Sequence, residues 1–144
     1  MVAAAVRLDA TAAKPTTTTM VDAASVAVFR AAFGLLMFVA TLRFMARGWV
    51  DEILAAPSFH FTFSGFSWVR PLPQPWLDVQ YVVMATAALC IGLGVRVRLA
   101  AGVFFVLFTW AELVEKAAYL NHYYFVSLVA LLLTIVRTDQ WCAL

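Results

Sequence analysis

Charge is the property that this sequence lacks most. Only 12% of its 144 residues are charged, 65% are hydrophobic, and the mean hydropathy is +0.91. Soluble domains carry about 25% charged residues, so roughly half of the usual charge is missing. The apolar residues fall into four runs, which places the chain in a membrane. The net charge of +2 is small and forms no basic run, so we expect no nucleic-acid partner.

Cysteine and histidine are also scarce. Cys90 lies within an apolar run and Cys142 lies near the C-terminus, so we expect no disulfide between them. The two cysteines and two histidines lack metal-site spacings such as CxxC or HxxxH, and the sequence therefore predicts no metal cofactor. The N-terminal segment lacks the continuous apolar core of a secretory signal peptide. We interpret residues 1–21 as an uncleaved, disordered tail.

The four apolar runs predict an all-α fold, a polytopic membrane bundle of about four transmembrane helices within residues 22–140. A transmembrane helix needs about 20 residues, and the predicted spans are residues 25–49, 77–94, 99–118 and 122–137. We expect residues 141–144 to be a truncated end. Arg30, in the first span, has two interpretations. It either snorkels to the membrane surface or faces the bundle interior, where it pairs with an acid or a ligand.

Residues 51–76, here called the aromatic loop, connect the first two predicted spans. Gly65 and the prolines at 71, 73 and 75 rule out a long helix. Phe59, Phe61 and Phe63 alternate with polar residues, which is the spacing of a strand. Two interpretations of the loop remain open at this point: an aromatic belt at the membrane interface, or a lid folded over a site.

The number of spans determines which segments share a membrane face. The aromatic loop and the stretch after the third span lie on one face, which brings together His60, Arg70, Lys116 and His122. The turn after the second span and the end of the fourth lie on the other face, with Arg96, Arg98 and Arg137. The positive-inside rule marks this second face as cytoplasmic, so Lys116 is expected on the non-cytoplasmic side.

The stretch ELVEKAAYLNHYY, from Glu112 to Tyr124, combines two acids, a lysine, an Asn-His pair and three tyrosines. If the third helix continues through it, Glu112 and Lys116 are i,i+4 neighbours in the favourable order. The structural interpretation is a helix end anchored by a snorkelling lysine. The functional interpretation is a general base, because burial favours the neutral amine of a lysine. Glu112 and Glu115 would oppose this if ionised and close, and the sequence alone leaves both interpretations open.

Three blocks of the sequence occur in the order found in one family of membrane enzymes. The first is ASVAVFR, ending at Arg30, with Phe33-Gly34 and Leu36-Met37. The second is WVRPLP at residues 68–73, and the third is Glu115-Lys116 followed by Asn121-His122. In these blocks the chain resembles the N-terminal membrane part, or HTTM domain, of the vitamin K-dependent γ-glutamyl carboxylases. The family's chains continue into a soluble domain that holds the protein substrate, so we expect this chain to be a fragment of a bacterial member.

The resemblance implies an activity, that of a carbon–carbon lyase and quinone epoxidase. Vitamin K hydroquinone reacts with O2 to give the epoxide, and the basic oxygenated intermediate removes a γ-proton from a glutamate side chain, which then takes up CO2. Lys116 matches the base that deprotonates the hydroquinone, and Asn121 and His122 match the residues beside it that orient the quinone. The remaining predicted quinone contacts are His60, Arg70, Trp68 and Tyr119.

The same resemblance implies the cofactors and partners. The cofactor is vitamin K hydroquinone or a related quinol, with O2 and CO2 as co-substrates and no metal. The partners are membrane lipid, the quinone and, for a full-length chain, a glutamyl-containing protein substrate. The implied location is the inner membrane of a bacterium, as an integral multi-pass protein.

Two other functions compete with this one. A four-span, DoxX-like quinone-interacting membrane protein would have no carboxylase activity. A non-enzymatic bundle would bind lipid or scaffold a partner, with Lys116 as an interfacial anchor. The anchor interpretation predicts that Lys116→Arg is harmless, whereas a general base does not tolerate arginine, which stays protonated.

Overall fold

The computed structural model of the chain describes residues 17–116 and 120–136, and the regular structure within them is helical. The four α-helices are α1 (Thr17–Ala46), α2 (Trp76–Leu93), α3 (Val97–Val114) and α4 (Asn121–Ile135). A π-helical segment, Val50–Ala55, follows α1. Three segments are long and apolar enough to cross a membrane, namely Ala24–Ala46, Trp76–Leu93 and Val97–Val114, and α4 is a shorter apolar helix. The predicted all-α membrane bundle is thereby confirmed.

The first helix has different limits from those predicted. It begins at Thr17 rather than near residue 25, because no glycine or proline interrupts the chain between Thr17 and Phe33. Residues 17–21, predicted as part of a disordered tail, are therefore helical. The helix ends at Ala46, shortly before Gly48, whose φ of 71° is incompatible with a continuing helix. The rest of the predicted tail and the predicted truncated end, residues 141–144, lie outside the described residues.

The third helix ends at Val114 and does not reach residue 118 as predicted. Glu115 has extended backbone, with φ −131° and ψ 97°. The backbone N–H of Lys116 donates to the carbonyl oxygen of Phe61 at 2.7 Å, so its partner is the aromatic loop and not a helical carbonyl. Glu112 and Lys116 are therefore not i,i+4 neighbours on one helix, and the ion pair predicted from that spacing loses its basis.

Consecutive helices pack antiparallel to one another. Phe44 of α1 stacks on Tyr81 of α2 at 5.5 Å between ring centroids, while Gly34 lies against Gly92 further along the same pair. Between α3 and α4, the ring of Phe108 meets that of Tyr123 at 6.0 Å. This sequential, short-range packing is typical of helical membrane bundles joined by short turns.

Small residues set the distance between α1 and α2. A β-carbon added to Gly34 would lie 2.6 Å from the Cα of Gly92 and 2.7 Å from the carbonyl oxygen of Ala88. Such a close approach of two backbones is possible only because both helices present small residues there. Gly34 belongs to the first of the three sequence blocks, and packing accounts for its presence in that block.

A tight turn joins α2 to α3. Gly94 adopts a left-handed conformation, with φ 82°, which glycine takes without a steric penalty. The N–H of the following Val95 returns to the carbonyl oxygen of Cys90 at 2.9 Å, and this bond closes the end of α2. Val97 then begins α3 fully buried.

Arg30 lies inside the bundle. Its side chain is only 3% exposed, although it carries a charge in the middle of an apolar helix. Of the two interpretations left open by the sequence, the structure therefore shows the inward-facing one. Ionisable groups at such positions are costly and are typically functional or paired in membrane proteins.

Candidate functional site

The aromatic loop folds back over one end of the bundle and bonds to the residues that follow α3. The carbonyl oxygen of Phe61 accepts the Lys116 N–H, and the Phe61 N–H donates to Oε2 of Glu115 at 3.4 Å. Within the described residues, Phe59, Phe61 and Phe63 form no strand, although their spacing predicted one. The hydrogen bonds of this segment go to Glu115 and Lys116 instead of to a neighbouring strand.

The aromatic loop has features expected of a lid and features expected of an aromatic belt, the two interpretations that the sequence left open. Its backbone covers the end of the bundle, as a lid would. Four of its rings nevertheless expose more than 60% of their surface, namely Phe59, Phe61, Trp68 and Trp76. Aromatic rings at the end of a membrane bundle suit the interface between lipid and water, so the exposed rings agree with the belt interpretation and the loop's bonds to the end of α3 agree with the lid interpretation. Both interpretations stay predictions.

A second attachment holds the WVRPLP block against α3. The indole Nε1 of Trp110 donates to the carbonyl oxygen of Arg70 at 3.3 Å. The Trp68 ring meets the Trp110 ring edge to face at 5.8 Å, and Val69 between them is 1% exposed. Arg70 is thus held at this end of the bundle by its backbone carbonyl, and Trp68 by its ring contact with Trp110. Both side chains are exposed.

Lys116 stands at the edge of this region. Its side chain is exposed, and its Nζ lies 5.7 Å from the centroid of the Phe63 ring, a cation–π contact. His60, also in the loop, turns towards the π-helical segment, with Nε2 at 3.1 Å from the carbonyl oxygen of Leu54. The loop thus meets Lys116 through the backbone of Phe61 and the ring of Phe63, while His60 is engaged with the π-helical segment.

Asn121 and His122 open α4, and both side chains are exposed. The His122 ring packs edge to face on Tyr123, with 4.6 Å between ring centroids. Tyr123 in turn contacts Phe108, so His122 continues a line of rings that starts inside the bundle. The predicted contact Tyr119 lies outside the described residues.

A partly open cavity of about 250 Å³ is lined by residues of all four α-helices and of the π-helical segment. Its walls are mostly aromatic and aliphatic, and its polar side chains are Thr41, Tyr81, Glu112, Glu115 and Tyr123. Glu115 and Tyr123 are the sequence neighbours of Lys116 and His122. Two short segments therefore each contribute one residue to the cavity wall, Glu115 or Tyr123, and one exposed polar residue beside it, Lys116 or His122.

Ring contacts define the shape of the cavity. Phe44 lies flat on Tyr81, with 2° between the ring planes, and Trp49 meets Phe44 edge to face at 5.5 Å. The guanidinium of Arg47 lies 4.9 Å from the centroid of the Trp49 ring. Because each ring is supported by another, these walls keep their positions whether or not the cavity is filled.

Glu112 is the residue whose role sequence reasoning missed. It was considered only as an obstacle to a neutral Lys116, yet its half-buried carboxyl lines the cavity. Tyr81 and Tyr123 line the same cavity. The available signal was an acid in the last turn of an apolar span, since ionisable residues within such spans usually mark functional sites.

The fold and the cavity define a class of protein: a helical membrane bundle whose loop-covered end holds a largely apolar cavity with a few polar groups. A comparison of the sequence with protein-family models identifies the family. The HTTM domain model matches residues 19–144, and the chain belongs to this family. The HTTM domain is associated with vitamin K-dependent carboxylase. No solved structure matches the chain.

Proposed function

We propose that this chain is a membrane enzyme of the vitamin K-dependent γ-glutamyl carboxylase type and carries the quinol-oxidising half of the reaction. Quinol, O2, CO2 and a glutamate side chain would give quinone epoxide, γ-carboxyglutamate and water. The observation that carries the proposal is that Glu115 and Tyr123, the sequence neighbours of Lys116 and His122, line one largely apolar cavity, while the aromatic loop bonds to Lys116. Membership of the HTTM family supports the same chemistry.

Lys116 is the proposed base because it matches the base of the family and its backbone is held by the aromatic loop. Its side chain is exposed, so the support from burial that the sequence analysis considered is missing, and the proposal depends on the family match and on the position of the residue. The hydrogen bond to Phe61 sets where the side chain starts, and four methylene groups give the amine freedom to move towards a ligand. A general base must come within about 2.6–3.2 Å of the group it deprotonates. An exposed amine at the rim of the cavity meets this requirement if the ligand hydroxyl points outwards.

The surroundings suit a lipid-soluble substrate. The cavity is walled by rings and aliphatic groups, and the outward-facing rings of the loop lie where a membrane interface would be. Exclusion of water protects a reactive oxygenated anion from being quenched by protons. Asn121 and His122, exposed at the first turn of α4, are proposed to orient the quinone by hydrogen bonding, and His60, Arg70, Trp68 and Tyr119 remain proposed contacts.

The direct test is epoxide formation by the purified chain in lipid nanodiscs, supplied with vitamin K hydroquinone and O2. We expect epoxide above the level produced by empty nanodiscs. Absence of epoxide above that background would overturn the proposed function. Quinone binding without epoxide is instead the result expected for a DoxX-like quinone-interacting protein.

His122→Ala is expected to lower epoxide formation by about tenfold or more while the yield of folded protein stays nearly unchanged. The ring is exposed, and exposed substitutions usually alter stability by about 0.5 kcal/mol or less. The measurement compares epoxide rate with monodisperse yield, using Tyr124→Ala as a matched control, because Tyr124 is also exposed on the first turns of α4. Equal losses of yield and rate would show that His122 acts only in folding.

A further inference from the structure

The cavity has the size and walls of a site for one ring system. Typical small-molecule pockets measure about 300–1,000 Å³, so a cavity of about 250 Å³ holds a ring and leaves a long side chain outside. The rings of Phe44, Trp49, Tyr81 and Phe108 line it, and Met84 adds a flexible wall. Aromatic walls favour a flat, apolar ligand that can stack or meet them edge to face.

Polar groups occur together in this otherwise apolar space. Glu112, Tyr81 and Tyr123 all line the cavity. Glu115 also lines it, with one carboxylate oxygen taking the hydrogen bond from Phe61. A ligand that fills the cavity therefore meets Glu112 as an acidic group placed among two phenols.

The chemistry of a carboxyl group limits the partner it can serve here. In the part of the chain that the structure describes, no group of three or more His, Cys, Asp or Glu side chains could hold a metal ion, so Glu112 has no co-ligands for one. An ionised carboxylate only accepts hydrogen bonds, so it requires a partner with a donor. The fitting partner is thus an apolar ring that carries a hydroxyl donor.

We infer that this cavity is the ring site for a quinol and that the Glu112 carboxyl accepts a hydrogen bond from one ring hydroxyl. The inference rests on the proposed function for the class of ligand and assigns to it a cavity and a residue that the family motifs do not mark. Glu112 then positions the quinol and selects it over the quinone. Lys116, which follows the cavity-lining Glu115 in the chain, is exposed outside the cavity.

An ionised Glu112 carboxylate, which only accepts hydrogen bonds, predicts selection for the reduced ligand. A quinol offers hydroxyl donors, whereas the matching quinone offers only carbonyl acceptors. Glu112→Leu removes the acceptor and is expected to weaken quinol binding about tenfold, while quinone binding changes less than about twofold. Glu112→Gln keeps a carbonyl acceptor and adds an amide donor, so it should retain most quinol affinity and gain affinity for the quinone.

The experiment measures binding of menadione and of its dithionite-reduced quinol, without oxygen, by quenching of tryptophan fluorescence in nanodiscs. Trp49 lines the cavity, so Trp49→Phe should remove most of the quenching while keeping an aromatic wall. Asp78→Leu is the matched control, because Asp78 is an exposed acid in the first turn of α2 and its loss should leave both affinities unchanged.

The possible results separate this inference from the proposed function. Equal weakening of quinol and quinone by Glu112→Leu, or no weakening of either, would overturn the role of Glu112. Quenching that is undiminished in Trp49→Phe would place the ligand elsewhere, since only the part due to other tryptophans, such as the proposed contact Trp68, should remain. Selective quinol binding without epoxide formation would support the Glu112 site and count against the proposed enzyme activity. Epoxide formation together with quinol binding that Glu112→Leu does not change would support the enzyme activity and count against the Glu112 site.

Discussion

Gly34→Ala is expected to force α1 and α2 apart and to lower the stability of the bundle by about 3 kcal/mol, the upper end of the usual cost of overpacking. The added methyl group would meet the Cα of Gly92 at 2.6 Å and the carbonyl oxygen of Ala88 at 2.7 Å. Both are backbone atoms, so no side chain can rotate away to make room. The measurement is the apparent unfolding temperature of the purified protein in detergent, followed by scanning fluorimetry.

Two other helical glycines provide graded controls for this prediction. A β-carbon at Gly92 would lie 3.2 Å from the backbone nitrogen and 3.3 Å from the movable Cγ of Leu35, so Gly92→Ala should cost less. At Gly102 the nearest atom is Cγ2 of Thr134 at 3.7 Å, an ordinary contact. Alanine favours a helix over glycine by about 1 kcal/mol, so Gly102→Ala should be neutral or stabilising. A loss at Gly102 as large as that at Gly34 would contradict the steric explanation.

The same substitution tests whether helix packing shapes the ligand cavity. Met37, Ala40, Thr41 and Phe44 of α1 all line the cavity and follow Gly34 by one to three turns. Moving α1 away from α2 displaces one whole wall. We therefore expect Gly34→Ala to weaken quinol binding together with stability, whereas Gly102→Ala should weaken neither.

The spans were predictable because hydropathy reflects the solvent that surrounds each helix, a property of the local sequence. The residues at which helices end were less predictable from the sequence. α3 ends at Val114 because Lys116 bonds to Phe61, a residue far away in the chain, and no local signal announces such a partner. The strand predicted at Phe59 to Phe63 was absent from the described structure for the same reason, since those backbone groups find partners beyond α3.

In the candidate site, too, the features encoded locally were predictable and the features assembled from distant segments were not. Three short motifs were enough to identify the family and to point to Lys116, Asn121 and His122, because motifs are local. The cavity is assembled from five separate segments, and no single segment predicts it. Glu112 could be interpreted from sequence only in relation to Lys116, on a helix that was expected to continue. Once α3 ends at Val114, Glu112 faces the cavity and Lys116 remains at its edge.

Lys116→Arg is expected to reduce epoxide formation by a factor on the order of 10²–10⁴, the usual contribution of a general base. Arginine keeps the positive charge, the long stem, the backbone N–H that bonds to Phe61 and the ability to lie over the Phe63 ring. It stays protonated, however, and therefore cannot accept a proton from the quinol. Initial epoxide rates in nanodiscs at saturating quinol measure this loss, and quinol binding measured without oxygen should remain at the parental level.

Lys116→Ala separates a missing base from a missing anchor. It should lose activity to a similar extent, and because the position is exposed, a small primary amine added to the buffer should restore part of the rate to Lys116→Ala and none to Lys116→Arg. An interfacial anchor gives the opposite pattern, with full activity in Lys116→Arg and no response to added amine. Full activity in Lys116→Arg would remove Lys116 from the chemistry and leave the cavity carboxyl of Glu112 as the next group to test as proton acceptor.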